Sequence, residues 1–247
     1  MTEDYLPGAT SGAADGCGLK AEARALLSEP VMKIVVFGAT GNVGQRVVTE
    51  ALGRGHAVVG VVRDPEAVQS PDRRVKLLKG DATNADSVAK IVRGADAVVS
   101  AISPRPNARG LPAPSLAANS RALIKGLRDA KVKRVLYVGG ASSLEVAPGK
   151  ALADTPDFPE IYREEAREGR EALAIWRNDA KGLDWTYLSP AAEIAPGKRT
   201  GKYRTTDDKL LTDDAGRSFI TFEDYAAAVL DELERPQHVA KRFGVAY

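Results

Sequence analysis

Cysteine is almost absent from this chain: Cys17 stands alone among 247 residues. A single thiol cannot close an intrachain disulfide, which excludes a disulfide-stapled secreted scaffold. Histidine is nearly as scarce, and His56, His238 and Cys17 are too few and too scattered to assemble a Cys/His metal site, so no metal is expected. No run approaches the ~18 consecutive apolar residues that a membrane span needs. Neither charge sign dominates: 35 Lys+Arg against 33 Asp+Glu leave +2, which gives no argument for nucleic acid as a partner. These absences point to a reduced, metal-free protein expected in the cytoplasm. What is present, 44% hydrophobic and 28% charged residues, suffices for one large domain or two small ones.

Charge and glycine are unevenly spread. Residues 1–31 hold five carboxylates against Lys20 and Arg24, a local charge of −3, which leaves +5 on the remainder of a chain totalling +2. This head is rich in glycine, alanine and small polar residues and lacks the basic start and apolar core of a secretory signal. It reads as a mobile extension. Met32 stands directly before the first convincing strand, so translation beginning there is one reading and an extension with its own role is the other. Residues 32–247 read as a single nucleotide-binding domain whose C-terminal third folds back as a small substrate cap.

From Lys33 onward short β-branched runs alternate with longer helical stretches, the order of a parallel sheet with crossover helices. Ile34 to Phe37, Ala57 to Val62, Val75 to Leu78, Ala97 to Ala101, Val135 to Val138 and Trp185 to Leu188 lack polar alternation and suit strands buried on both faces. Right-handed crossovers predict an α/β, Rossmann-like doubly wound sheet of order 3-2-1-4-5-6 with a crevice between the first and fourth strands. Tyr162 to Lys181 reads as a charged helix burying Ala172, Leu173, Ile175, Trp176 and Ala180, with Trp176 alternatively a stacking platform. Lys209 to Thr212 and Ser218 to Thr221 flank Asp213 to Arg217 and read as a hairpin or a strand-turn-strand. Thr221 opens a final helix that Pro236 stops, and Arg242 to Tyr247 offers one more strand.

The strongest chemical signal is the strand Lys33 to Phe37 running into Gly38-Ala39-Thr40-Gly41-Asn42-Val43-Gly44 and then a helix. Gly38 permits a tight turn, Gly41 lets the backbone approach a pyrophosphate, and Gly44 lets the helix pack against the strand. The helix N-terminus offers N–H groups and partial positive charge to phosphates. The second strand ends in Arg63-Asp64-Pro65. Arg63 stands where a guanidinium would pair with the 2′-phosphate of NADP(H), which is therefore favoured over NAD(H), while Asp64 would serve an NAD ribose instead. Asp81 and Ala82 would meet the adenine edge, or Asp81 would cap the next helix. Ser100, Ala101 and Ile102 would pass beneath the dinucleotide. Gly139, Gly140 and Pro190 would line its nicotinamide end. Ser142 reads as a substrate contact or as a turn residue.

The three-and-three glycine spacing resembles the extended and atypical short-chain dehydrogenase/reductases. Classical members use a tyrosine with a lysine four residues later, and none of the seven tyrosines here has that lysine. Ketone reduction and sugar-nucleotide epimerisation, which need such an acid at a developing alkoxide, lose support. Flavins and quinones take hydride into a conjugated system and need only positioning.

Met32 to Gly44, Arg63 to Pro65, Val138 to Pro148, Asp184 to Ala192, and Phe222 to Ala226 with Arg242 to Tyr247 together resemble the atypical short-chain dehydrogenase group described as NADH-flavin reductases, related to biliverdin-IXβ/flavin reductases and NmrA-like regulators. The resemblance spans residues 32–247. It implies an NAD(P)H-binding oxidoreductase passing hydride to a flavin, quinone or similar conjugated acceptor, or alternatively a non-catalytic redox sensor with a protein partner. No dedicated catalytic residue follows from it. In the proline-rich stretch Ser103 to Pro114, Arg105 and Arg109 would hold an anionic acceptor such as FMN, or are incidental charges of a solvated loop. Leu144 to Phe158 reads as a lid or a plain connection.

Overall fold

The computed structural model describes Met1, residues 31–104 and residues 114–247; Cys17, Arg105, Arg109 and most of the acidic head lie outside the described residues. Val31–Tyr247 folds as one compact unit. Its centre is an eight-stranded sheet of β1 (Lys33–Phe37), β2 (Ala57–Val62), β3 (Lys76–Lys79), β4 (Ala97–Ser100), β5 (Arg134–Val138), β8 (Asp184–Ser189), β10 (Arg204–Thr206) and β12 (Lys241–Ala246). Their order is β10-β12-β8-β5-β4-β1-β2-β3, and only β10 runs antiparallel to its neighbour. The first six strands of this sheet therefore take the expected 3-2-1-4-5-6 order, with β8 as the sixth.

The unbroken apolar runs follow from two-sided burial. Along β1, Ile34 and Val36 face one core cluster while Val35 and Phe37 face the other, so no position is left for a polar residue. Helices α1 (Asn42–Gly53) and α5 (Phe222–Glu234) pack together on the first face. On the second lie α2 (Ala85–Val92), α3 (Leu116–Ala130) and α4 (Arg163–Asp179). Trp176 is fully buried on α4, tilted against Tyr137 at 5.4 Å between ring centres, so it packs the core and is no platform for a ligand.

The hairpin expected from 209–212 and 218–221 does not form. The Asp213 carboxylate accepts the N–H groups of Ala215 and Arg217 and makes the turn, but β11 (Phe219–Thr221) pairs in parallel with β9 (Glu193–Ala195). Leu210 N–H instead donates to the carbonyl of Glu145 at 2.8 Å. That bond ties the 209–212 stretch to the small ribbon of β6 (Glu145–Ala147) and β7 (Lys150–Ala151), inside the connection from Leu144 to Phe158.

Candidate functional site

Because β1 to β5 and β8 are parallel, every loop that follows them leaves from one edge of the sheet. This edge collects Gly38 to Gly44, Arg63, Asp81 and Ala82, Ala101 and Ile102, Gly139 to Ser142, and Pro190. Residues dispersed over more than 150 positions meet there for a topological reason, since open α/β sheets bind ligands outside the carboxyl ends of their strands.

The turn after β1 is built from glycines with different causes. Gly38 adopts φ +76°, and a Cβ on it would lie 2.5 Å from the carbonyl oxygen of Ala101. Gly44 has a Cβ position only 2.0 Å from the Gly38 carbonyl oxygen, so helix and turn touch backbone to backbone. Gly41 differs. Its φ −74° and ψ 169° suit any residue, and a Cβ there would meet only the Gly38 oxygen at 3.4 Å. Nothing within the protein requires glycine at 41.

Side-chain caps close the starts of three helices. Asn84, Ser115 and Thr221 cap α2, α3 and α5 by accepting the N–H groups of Ser87, Ala118 and Asp224. Gly41 at the start of α1, like Tyr162 at the start of α4, provides no side-chain cap. Ala39 is fully buried with its methyl against Gly60, Thr40 is half-buried and Asn42 exposed. Arg63, the first residue past β2, is exposed beside Asp64.

The family model for NAD(P)H-binding proteins matches residues 38–236. The chain belongs to this NAD(P)H-binding family. It is 41% identical over 218 residues to the uncharacterized protein YwnB of Bacillus subtilis, covering 87% of this chain and 98% of that one. A Bacteroides thetaiotaomicron structure assigned provisionally as an epimerase is 40% identical with TM-score 0.78, covering 88% of this chain and 98% of its own. A Streptococcus pneumoniae structure assigned provisionally as an NADH-flavin reductase is 32% identical with TM-score 0.71, covering 87% and 99%. Among the described residues no helix is long and apolar enough to cross a membrane.

With NAD(P)H binding in place, several expected contacts need correction. The Asp81 carboxylate accepts the N–H and hydroxyl of Thr83 at 2.8 and 2.6 Å, a local turn, while Asn84 caps α2 in its stead. Ser100 is fully buried and its hydroxyl donates to Asn119 Oδ1 at 3.1 Å, so its side chain faces α3 and away from the crevice. Asn119, which sequence reading passed over, also donates to the Ala82 carbonyl at 2.9 Å. It joins the end of β4 to the loop after β3. A buried asparagine beside a helical apolar face was the only available signal.

At the other end, Gly139 is explained by packing, because a Cβ would lie 2.0 Å from the Tyr187 ring. Ser143 accepts a hydrogen bond from the buried Arg242 at 3.2 Å. The turn closes through Leu144 N–H to the Ala141 carbonyl, so Ser142 is not needed for it, and the Ser142 hydroxyl has no hydrogen-bond partner among the described residues. Burial pushes Tyr187 up to about 12, and Tyr137 and Tyr225 are raised by the same cause. These three phenols stay neutral and enclosed. Tyr162, half-exposed at the start of α4, is followed four residues later by Ala166.

Proposed function

We propose that this chain is an NADPH-dependent reductase that passes hydride to a small conjugated acceptor, a flavin or a quinone. One observation carries the reading: Ser142 offers a hydroxyl at the end of the crevice where the acceptor is expected, and none of the seven tyrosines is followed four residues later by the lysine that would help protonate an alkoxide. Epimerase or ketone chemistry needs that acid, so the flavin-reductase description of the pneumococcal relative is favoured over the epimerase description of the other.

The bound dinucleotide supplies the hydride. Gly38 to Gly44 receive its pyrophosphate on the backbone, Arg63 takes a 2′-phosphate, Ala101 and Ile102 support it from beneath, and Gly139, Gly140 and Pro190 border its reactive end. Ser142 hydrogen-bonds the acceptor and orients it. Positioning of this kind accounts for large rate gains without a dedicated acid. Steady-state oxidation of NADPH with FMN, riboflavin and quinones tests the reading, with Gly41→Ala as the control. Rates equal to those of the variant would overturn it, and tight nucleotide binding without turnover would favour a redox sensor with a protein partner.

A further inference from the structure

The carboxyl end of β3 carries a lysine whose face of the sheet can be read from its neighbours. Leu77 and Val75 pack with α1 in the first core cluster, and a Cβ on Gly60 of β2 would meet Leu77, Ala39 and Val75 at 2.7, 2.9 and 3.3 Å. A Cβ on Gly80 would instead meet Ile91 and Val61, which belong to the opposite cluster. Side chains alternate along a strand, so Lys79 stands on the face of Leu77, the one that carries Ala39 and α1.

This places Lys79 beside the turn Gly38 to Gly44. Ala39 sits against Gly60 and Leu77, and one step further along the same face toward the carboxyl edge come Val62 and Lys79, which are partners in the register of β2 and β3. Arg63 follows Val62 directly, and Gly80 N–H donates to the Val62 carbonyl at 2.9 Å, so the strands stay paired to the point where both cations leave them. Lys79 is exposed, and no carboxylate among the described residues forms an ion pair with it. A lysine ending an edge strand also discourages pairing with other chains, a role indifferent to nucleotide.

We propose that Lys79 is a second determinant of NADPH preference, acting with Arg63 on the 2′-phosphate of the adenine ribose. The assignment rests on the NADPH reading and adds to it a residue from a different strand. A phosphate monoester carries about −1.5 to −2 at neutral pH, more than one guanidinium neutralises. Arg63 matches its geometry with paired N–H bonds, and the lysine ammonium adds a point charge that needs no fixed orientation. NADH presents a hydroxyl at the same place and gives Lys79 no charge to meet.

Nucleotide fluorescence titration on the full chain tests this without turnover, so the outcome does not depend on which acceptor is reduced. Lys79→Ala is expected to weaken NADPH about threefold to tenfold and NADH by less than about 1.5-fold, while Lys79→Arg keeps most of the preference. Competition with 2′,5′-ADP and with 5′-ADP isolates the contact, since the alanine variant should lose affinity for the first and keep it for the second. As salt rises, the advantage of NADPH over NADH should shrink more in the parent than in Lys79→Ala. Equal losses for both dinucleotides, or no loss for either, would overturn the assignment and leave Lys79 an edge-strand charge. A preference that Arg63→Ala abolishes and Lys79→Ala leaves intact sinks Lys79 alone, whereas equal binding of NADPH and NADH by the parent chain sinks the NADPH reading with it.

Discussion

The carbonyl oxygen of Gly38 lies 2.0 Å from the point where a Cβ on Gly44 would stand, and 3.4 Å from the corresponding point on Gly41. The two glycines of one turn therefore answer to different partners. Gly44→Ala drives a methyl into backbone that cannot move without unseating α1, so it is expected to lower the melting temperature sharply or prevent folding. Gly41→Ala meets only the Gly38 oxygen within the protein, at 3.4 Å, and under the proposed binding mode is expected to collide with the dinucleotide. Its melting temperature should stay within about 3 °C of the parent, a change of roughly 1 kcal/mol at this chain length, while NADPH affinity falls at least tenfold. Thermal unfolding and nucleotide fluorescence titration on both variants separate the cases, and equal damage at the two positions would refute the distinction.

Arg63 stands directly after β2 at the edge where the nucleotide ribose is expected. A guanidinium there acts on a 2′-phosphate that NADH lacks. Arg63→Ala should weaken NADPH by about tenfold to a hundredfold, roughly 1.4 to 2.8 kcal/mol, with NADH changed less than about twofold. The ratio of the two dissociation constants is the readout. Parallel losses would assign Arg63 to the fold or to general attraction of anions.

The sheet and the phosphate turn were legible because their causes are local. Residues 34 to 37 are apolar at every position, which only a strand covered on both faces requires, and the glycines follow without a gap. Asn119 was illegible for the opposite reason. Its partners Ser100 and Ala82 are 19 and 37 residues away, and a polar residue on an amphipathic helix reads as solvated until the third dimension closes over it. The strands β9 and β11 have three residues each and pair across a separation that no short-range pattern encodes, so 218–221 looked like half of a hairpin. Asp81 misled because a carboxylate just before a helix suits both a cap and a turn, and Asn84 stood nearer the first helical residue.

Asn119 itself supports a prediction about cofactor positioning. Asn119→Ala leaves the Ser100 hydroxyl and the Ala82 carbonyl without their partner in a buried setting, at a cost of about 1–3 kcal/mol. The melting temperature should fall by about 2–12 °C on that basis. Asn119→Asp should be worse, since a carboxylate cannot donate to Ala82 and brings an unpaired charge into the interior. If Asn119 also holds the loop that borders the adenine, the alanine variant raises KM for NADPH more than it lowers kcat. A loss in kcat with unchanged KM would limit the residue to stability.

The carboxylate of Asp224, fully buried at the start of α5, accepts Thr200 N–H and hydroxyl at 2.8 and 2.6 Å, Gly201 N–H at 2.7 Å and the Tyr247 hydroxyl at 2.6 Å. Burial pushes its pKa upward, but the bonds from Thr200, Tyr247 and Gly201 outweigh that and hold it below the ordinary aspartate value. A lowered folded-state pKa means that the stabilisation is fully present above the unfolded value of about 4 and is lost as pH falls through the folded one. Asp224→Asn gives up the charge-assisted bonds at about 2–3 kcal/mol, so near pH 7 it should melt about 4–12 °C below the parent. The gap between the two melting curves should hold from neutral pH to about 5, then narrow below about 4 as the parent's own carboxylate is protonated. A gap that stays constant into strong acid would show that Asp224 stabilises by shape, with its charge irrelevant.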